Sequence, residues 1–148
     1  MKETDIKLLR QLRRNARESI TNISKKTGIP TSTVFLKIRE QENRLIKKHV
    51  SLVDYAALGY NHWQNTVVKL AEYNNKEFEK FLLEYENVNS LYEINGGYDY
   101  LLETVHKNVK EYVDFMKDLE NKFKIVELKG FQIINDLKRE EFFSKGGN

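Results

Sequence analysis

Charge is sorted along this chain, and that sorting limits what the chain can be. Residues 1 to 50 carry 13 Lys and Arg against 5 Asp and Glu, a net of +8, whereas residues 51 to 148 carry 12 against 17, a net of −5. A basic head joined to a neutral or acidic body has this asymmetry, and basic heads of this kind bind nucleic acid. A charge run is also often just a solvated helix face, so the pattern around the charges has to decide. With 148 residues, 40% of them apolar, the chain has room for one or two small domains with thin cores, for which self-association is expected. No window reaches the roughly 18 apolar residues of a membrane span. The opening MKETDIKLLR has no apolar signal core, so neither secretion nor membrane insertion is expected and the setting reads as cytoplasmic. Cysteine is absent, which excludes disulfides, thiolate metal sites and a cysteine nucleophile.

The first fifty residues show only helical spacing. Thr4 is placed to cap a helix whose apolar positions Ile6, Leu9 and Leu12, with Leu8 beside them, end near Asn15. Ser19 caps a short second helix through Lys26, with Ile20 and Ile23 inward and Gly28 supplying the left-handed stop. After Gly28-Ile29-Pro30 a third helix starts near Thr31, with Val34, Ile38 and Leu45 on one face and Ser32, Thr33, Lys37 and Arg39 on the other. Two short helices, a glycine turn and a basic third helix are the layout of a helix-turn-helix, whose last helix enters the major groove. Leu45 to Asp54 reads as a strand, a wing on the head, leading into a linker from Tyr55 to Tyr60.

Beyond the linker the rhythm changes. His62 to Glu72 is rich in strand formers; Phe78, Phe81, Leu82 and Tyr85 mark a helix after Asn74-Asn75. Val88 to Asn95 and Tyr98 to Lys107 flank Gly96-Gly97 as a hairpin. Asn108 caps a helix carrying Val109, Tyr112, Val113, Met116, Leu119 and Phe123, and a last strand covers Ile125 to Leu137, interrupted at Gly130. Strand, helix, strand, strand, helix, strand is the ferredoxin-like βαββαβ order. The fold class is therefore α+β: an N-terminal (winged) helix-turn-helix joined to a C-terminal ferredoxin-like domain. Its boundaries are 1–50 for the head, 51–61 for the strand and hinge, 62–140 for the second domain and 141–148 for a tail that frays from Ser144. Such a sheet leaves one face without helices, and Tyr98, Tyr100, Leu102, Tyr92 and Ile94 are assigned to that face, too apolar to stay wet and so buried in a dimer.

These residues carry a family resemblance. Asp5, Leu9, Leu12, Asn15, Ala16 and Arg17 follow an opening pattern, and Ile23, Lys25, Gly28, Ser32, Thr33, Val34 and Ile38 a helix-turn-helix. Ile46-Lys47-Lys48, Val53-Asp54 and Leu58-Gly59-Tyr60 follow as strand and hinge, and Gly96, Tyr98, Asp99 and Tyr100 as a turn-and-strand signature. In this order they resemble the Lrp/AsnC, or feast/famine, transcription regulators. Departures are Tyr55 for proline, Gln41 for leucine, Leu45 for glycine, and the apolar Phe35 and Leu36 where polar or basic groups are common. The resemblance implies DNA binding, dimers that assemble further into octamers, and a small-molecule effector, commonly an amino acid, bound between subunits.

For base reading, Thr31, Ser32, Thr33, Lys37 and Arg39 are placed on the third helix, with Phe35 and Leu36 able to meet thymine methyl groups; Phe35 equally fits the core of the head. Arg13, Arg14, Arg17, Lys25, Lys26, Lys47 and Lys48 are the phosphate candidates, each also consistent with an idle surface cation. So small a head calls for a dimer reading half-sites about 34 Å apart, hence an inverted-repeat operator in double-stranded DNA. For the effector, Gly96 and Gly97 admit close approach, flanked by Tyr98 and Tyr100. Asp99 either accepts from an α-ammonium group or satisfies a backbone N–H. No cofactor, metal or catalytic set is expected, since His49, His62 and His106 lack ligand spacing. The expected function is thus a sequence-specific, nucleoid-associated regulator. The alternatives are a sirohaem-decarboxylase-like enzyme on the same fold and a low-specificity chromatin-like protein.

Overall fold

The computed structural model describes residues 1–73 and 75–146; Asn74, half of the expected Asn74-Asn75 turn, and Gly147 and Asn148 at the end of the expected fraying tail lie outside them. The chain forms two compact units, Met1–Leu52 together with the chain from Leu137 on, and Val53–Asp136.

In the first unit, helix α1 spans Glu3–Arg14, α2 Ile20–Thr27 and α3 Thr31–Glu42. Thr4 is not the cap of α1; the helix already starts at Glu3 after Lys2, which makes no side-chain cap. Glu3 and Asp5 in its first turn meet the positive helix end instead. Ser19 caps α2 as expected, its hydroxyl accepting from Asn22 N–H at 3.1 Å, and Gly28 ends it at φ 73°, a conformation open to glycine at little cost. The core of the unit is Leu8, Ile23, Ile29 and Val34, with Leu12, Ile20 and Ile38 against it. The inward line of α1 is Asp5, Leu8 and Gln11 rather than Ile6 and Leu9. Helix α3 stops at Glu42, so Leu45 falls outside it and is exposed. Gln41, fully buried, takes the inward position.

Among the described residues, no strand forms over Leu45–Asp54. The segment has strand composition but no neighbouring ladder within the chain, and backbone pairing rather than propensity makes a strand.

The second unit is a four-stranded antiparallel sheet in the order β2-β3-β1-β4, with β1 at His62–Leu70, β2 at Val88–Glu93, β3 at Tyr100–His106 and β4 at Ile125–Gln132. Helices α4 (Lys76–Glu84) and α5 (Val109–Lys122) complete the ferredoxin-like domain. Asn75 and Asn108 cap them, accepting from Phe78 N–H at 3.1 Å and Glu111 N–H at 2.9 Å. The core gathers Val68, Leu70, Phe78, Leu82, Tyr100, Leu102, Phe115, Met116 and Leu119. Ring contacts such as Phe78 with Tyr100 at 5.1 Å and Tyr85 with Phe115 at 4.6 Å tie α4 and α5 into it.

Three expectations are corrected here. On α5, Phe115 is buried while Val109 and Val113 are exposed: the helical line through Met116 and Leu119 runs back to Tyr112 and Phe115. The last strand ends at Gln132 without a break at Gly130, which pairs with Thr66. Tyr100 and Leu102 belong to the core. Because successive strand residues point to opposite faces, the other sheet face carries Leu101, Trp63 and Val67 in register, with Tyr92 opposite Leu101 and Phe131 opposite Asn65.

Candidate nucleic-acid interface and effector loop

The three helices of the head set the exposure of every residue expected to meet DNA. Val34 is fully buried on α3, and one residue further the chain turns Phe35 and Leu36 outward, 46% and 66% exposed. Ser32 and Arg39 are exposed on the same helix, Thr31 is exposed at its start and Thr33 is half-buried. The Arg39 guanidinium lies 5.7 Å from the centre of the Phe35 ring, a cation–π contact that presents charge and ring together. Phe35 is therefore not a core residue.

Lys37 is placed differently. Its ammonium meets the buried Asp5 carboxylate at 3.1 Å and Glu40 at 3.5 Å, so it joins α3 to α1 rather than pointing outward with Arg39. Burial alone would raise the Asp5 pKa, but the hydrogen bond and charge of Lys37 outweigh it, and the carboxyl is held below its usual value. The hydrogen bond to Asp5 likewise raises the Lys37 pKa.

The cations split the same way. Arg17, Lys25, Lys47 and Lys48 are exposed. Lys26 pairs with Glu18 at 2.8 Å. Arg13 and Arg14 are engaged by the chain's own C-terminal segment: Arg13 donates to the carbonyls of Phe142 and Glu140, each at 2.9 Å, and Arg14 to that of Ser144 at 2.5 Å. Ser144 is buried, so the described part of the tail does not fray. The sequence reading missed this packing; Phe142-Phe143 in an otherwise polar end was its one signal. It also missed Asp5 as a buried partner, which nothing short of the α1–α3 packing identifies.

In the second unit the hairpin loop runs from Ile94 to Asp99, with Gly96 and Gly97 both exposed at positive φ, 94° and 99°. The Asp99 carboxylate accepts from Leu70 N–H at 2.8 Å, which fixes the loop to β1 and is the second of the two roles open to it. The Tyr98 hydroxyl donates to Glu127 at 2.9 Å, and that of the buried Tyr100 to Glu79 at 2.8 Å; both bonds, with burial, raise the tyrosine pKa values. Tyr100 is thus a core residue supporting the loop, while Gly96, Gly97 and Tyr98 are its accessible part. Among the described residues, no group of three His, Cys, Asp or Glu side chains is arranged to hold a metal ion.

Residues 1–36 match the AsnC-type helix-turn-helix domain, and residues 66–141 match the Lrp/AsnC ligand binding domain. The chain belongs to the Lrp/AsnC family of DNA-binding transcription regulators. Among curated relatives, it is 31% identical over 115 residues to the HTH-type transcriptional regulator FL11 of Pyrococcus horikoshii, covering 77% of this chain and 76% of that protein. It is also 31% identical over 120 residues to the transcriptional regulator AzlB of Bacillus subtilis, covering 78% and 76%. The fold is shared with an AsnC family regulator from Agrobacterium tumefaciens, with a TM-score of 0.84, 24% identity and 94% of both chains covered. It is shared also with a transcriptional regulator from Neisseria meningitidis solved in complex with L-Met, with a TM-score of 0.82, 17% identity, and 94% and 93% covered. Among the described residues, no helix of this Lrp/AsnC regulator is long and apolar enough to cross a membrane.

Proposed function

We propose that this regulator acts in the cytoplasm as a dimer or higher oligomer that reads an inverted-repeat operator with α3 and is modulated by a small molecule, with an amino acid as the first class to test. The observation that carries the reading is the outward strip of α3: Ser32, Phe35, Leu36 and Arg39 around a fully buried Val34. Two large apolar side chains exposed beside a guanidinium suit a groove floor where thymine methyls and guanine acceptors alternate. Arg17, Lys25, Lys47 and Lys48 supply the phosphate contacts, which position the head without reading sequence. Lys37 acts at one remove, by fixing α3 to Asp5.

Self-association is supported by the helix-free face of the sheet, where Tyr92, 53% exposed, Leu101 and Val67 form one row across the strands, with Trp63 and Phe131, the latter 50% exposed, in neighbouring rows. Apolar side chains grouped this way, with Asn65, Glu103 and Lys129 among them, suit burial against a partner surface. Effector binding is supported by the exposed Gly96-Gly97 loop, tied to the sheet through Asp99. It lies in the matched ligand-binding domain, and one protein of this fold has been solved with L-Met.

Selection of sites from random duplexes by the purified chain tests the reading. Enrichment of one inverted repeat supports it, and Arg39→Ala should then weaken binding to that repeat by about 1–3 kcal/mol, the size of one lost base contact. Equal binding to unrelated duplexes would replace it with low-specificity, chromatin-like binding.

A further inference from the structure

The exposed face of α1 carries Arg10, Arg13 and Arg14, at spacings of three and four, so all three stand on one side of the helix. Each is turned to the segment from Glu140 to Lys145. Arg13 donates to two carbonyls and reaches the Glu140 carboxylate at 3.4 Å. Arg14 donates to Ser144 O, and Arg10 to Lys145 O while its guanidinium lies 4.7 Å from the centre of the Phe143 ring. The guanidinium forks thus meet four carbonyl oxygens, of Glu140, Phe142, Ser144 and Lys145, presented by a turning segment of chain. A small anion would be gripped from several sides at once; a nucleic-acid strand presents its phosphates in a row.

The tail is a poor match for what these arginines can bind. Its acceptors are mostly neutral carbonyls, which make weaker bonds to guanidinium than phosphates do. Among the described residues, its one carboxylate on the arginines is the 3.4 Å contact from Glu140. Arg10 Nε is buried without a hydrogen-bond partner. The tail is also bent unfavourably, since Glu140 and Phe143 both sit at positive φ, 55° and 63°, where a side chain costs energy that the arginine contacts must offset. A cleft of about 420 Å³ continues the same face, lined by Arg13, Arg14, Arg17, Lys48 and His49, and Glu140 of the tail is the one acid on its wall.

We infer that the arginine face of α1 is a second seat for the phosphate backbone of duplex DNA, and that the chain's own tail from Glu140 to Lys145 occupies it until DNA displaces it. This rests on the DNA-binding reading above and adds a surface outside α3. The seat carries no sequence information, so opening it raises affinity for every duplex alike.

The test measures binding of the full chain and of a chain ending at Lys138 to a duplex of unrelated sequence across a salt series. The second unlatching variant, Glu140→Pro, leaves the length unchanged and forbids positive φ at that position. Both altered chains should bind roughly tenfold tighter at low salt, with a salt slope steeper by about 2, as expected for two or three added phosphate contacts at about 0.9 each. Arg13→Ala with Arg14→Ala should abolish that gain in the shortened chain and change little in the full one. If both unlatched chains keep the affinity and slope of the full chain, or bind more weakly, the inference is overturned while the assignment of α3 stands. If the full chain binds no duplex at any salt, the DNA-binding reading itself fails.

Discussion

Leu8→Ala and Leu9→Ala, made separately, distinguish the head's packing from the pattern that its sequence suggests. Spacing alone sets Leu9 in the inward line with Ile6 and Leu12, whereas the folded helix buries Leu8 completely and leaves Leu9 half-buried. Leu8 touches a core of only four buried residues, with Ile23, Ile29 and Val34. Truncation there removes three buried carbons and leaves a void that small helices can partly close, which sets the cost near the low end for such changes, about 3 kcal/mol. Leu9→Ala should cost less than about 1 kcal/mol, since its side chain already meets water. Native-state hydrogen exchange reads this locally: the Val34 amide, bonded to Pro30 O at 2.9 Å, and the Ile23 amide, bonded to Ser19 O at 2.9 Å, report the head. In Leu8→Ala their protection should fall about a hundredfold, at about 1.4 kcal/mol per factor of ten. Equal losses in the two variants would refute the assigned face of α1, and with it the placement of α3.

Further outcomes follow from other contacts. Gly130→Ala places a Cβ against the Gln64 amide and 3.0 Å from the Tyr112 hydroxyl, so the end of the Gln64 side chain must move and its 2.8 Å bond with His62 is disturbed; the melting temperature of the sheet unit should fall by the equivalent of about 1 kcal/mol, and a higher melting temperature would contradict this placement of Gly130. His106 is fully buried and its pKa is lowered, chiefly by burial, with Glu111 opposing and His62 reinforcing. A group whose pKa is lower folded than unfolded stabilises the fold above its unfolded value, about 6.5, and that contribution is lost as pH falls below it. Thermal melts between pH 7 and 5 should therefore show the sheet unit weakening, and His106→Gln should flatten the trend. Lys47→Ala and Lys48→Ala should each lower the salt slope of DNA binding by about 1 without changing the preferred site, as expected of phosphate contacts; a changed site preference would make them base readers.

Where local chemistry decides, the sequence was readable. Ser19, Gly28 and Asn108 mark helix ends because capping and positive φ depend on one residue and its near neighbours; Thr4, read by the same rule, is not a cap, since α1 starts before it. The order of strands and helices in the second unit was legible from spacing for the same reason. What spacing could not settle was which of two neighbouring residues, one or two positions apart, faces inward: Leu8 or Leu9 on α1, Phe115 or Val113 on α5, Tyr100 or Leu101 on β3. Such choices are set by packing against distant segments, and a shift of one residue in a strand exchanges its faces. In the interface, the outward placement of Ser32 and Arg39 on α3 was legible, whereas Phe35 fitted groove and core equally until the burial of Val34 turned it outward. The roles of Lys37, Arg13 and Arg14 were not, because their partners Asp5, Glu140, Phe142 and Ser144 lie 32 to about 130 residues away. Nothing in the composition of Leu45–Asp54 signals that the chain gives it no strand to pair with.

The most direct measurement is the footprint of the purified chain on its selected operator, taken together with its mass in solution. Two protected half-sites about one helical turn apart, bound by an even number of chains and lost when Arg39 and Leu36 are both replaced by alanine, is the predicted result. A single chain protecting one site, or protection that survives the double replacement, would contradict the account.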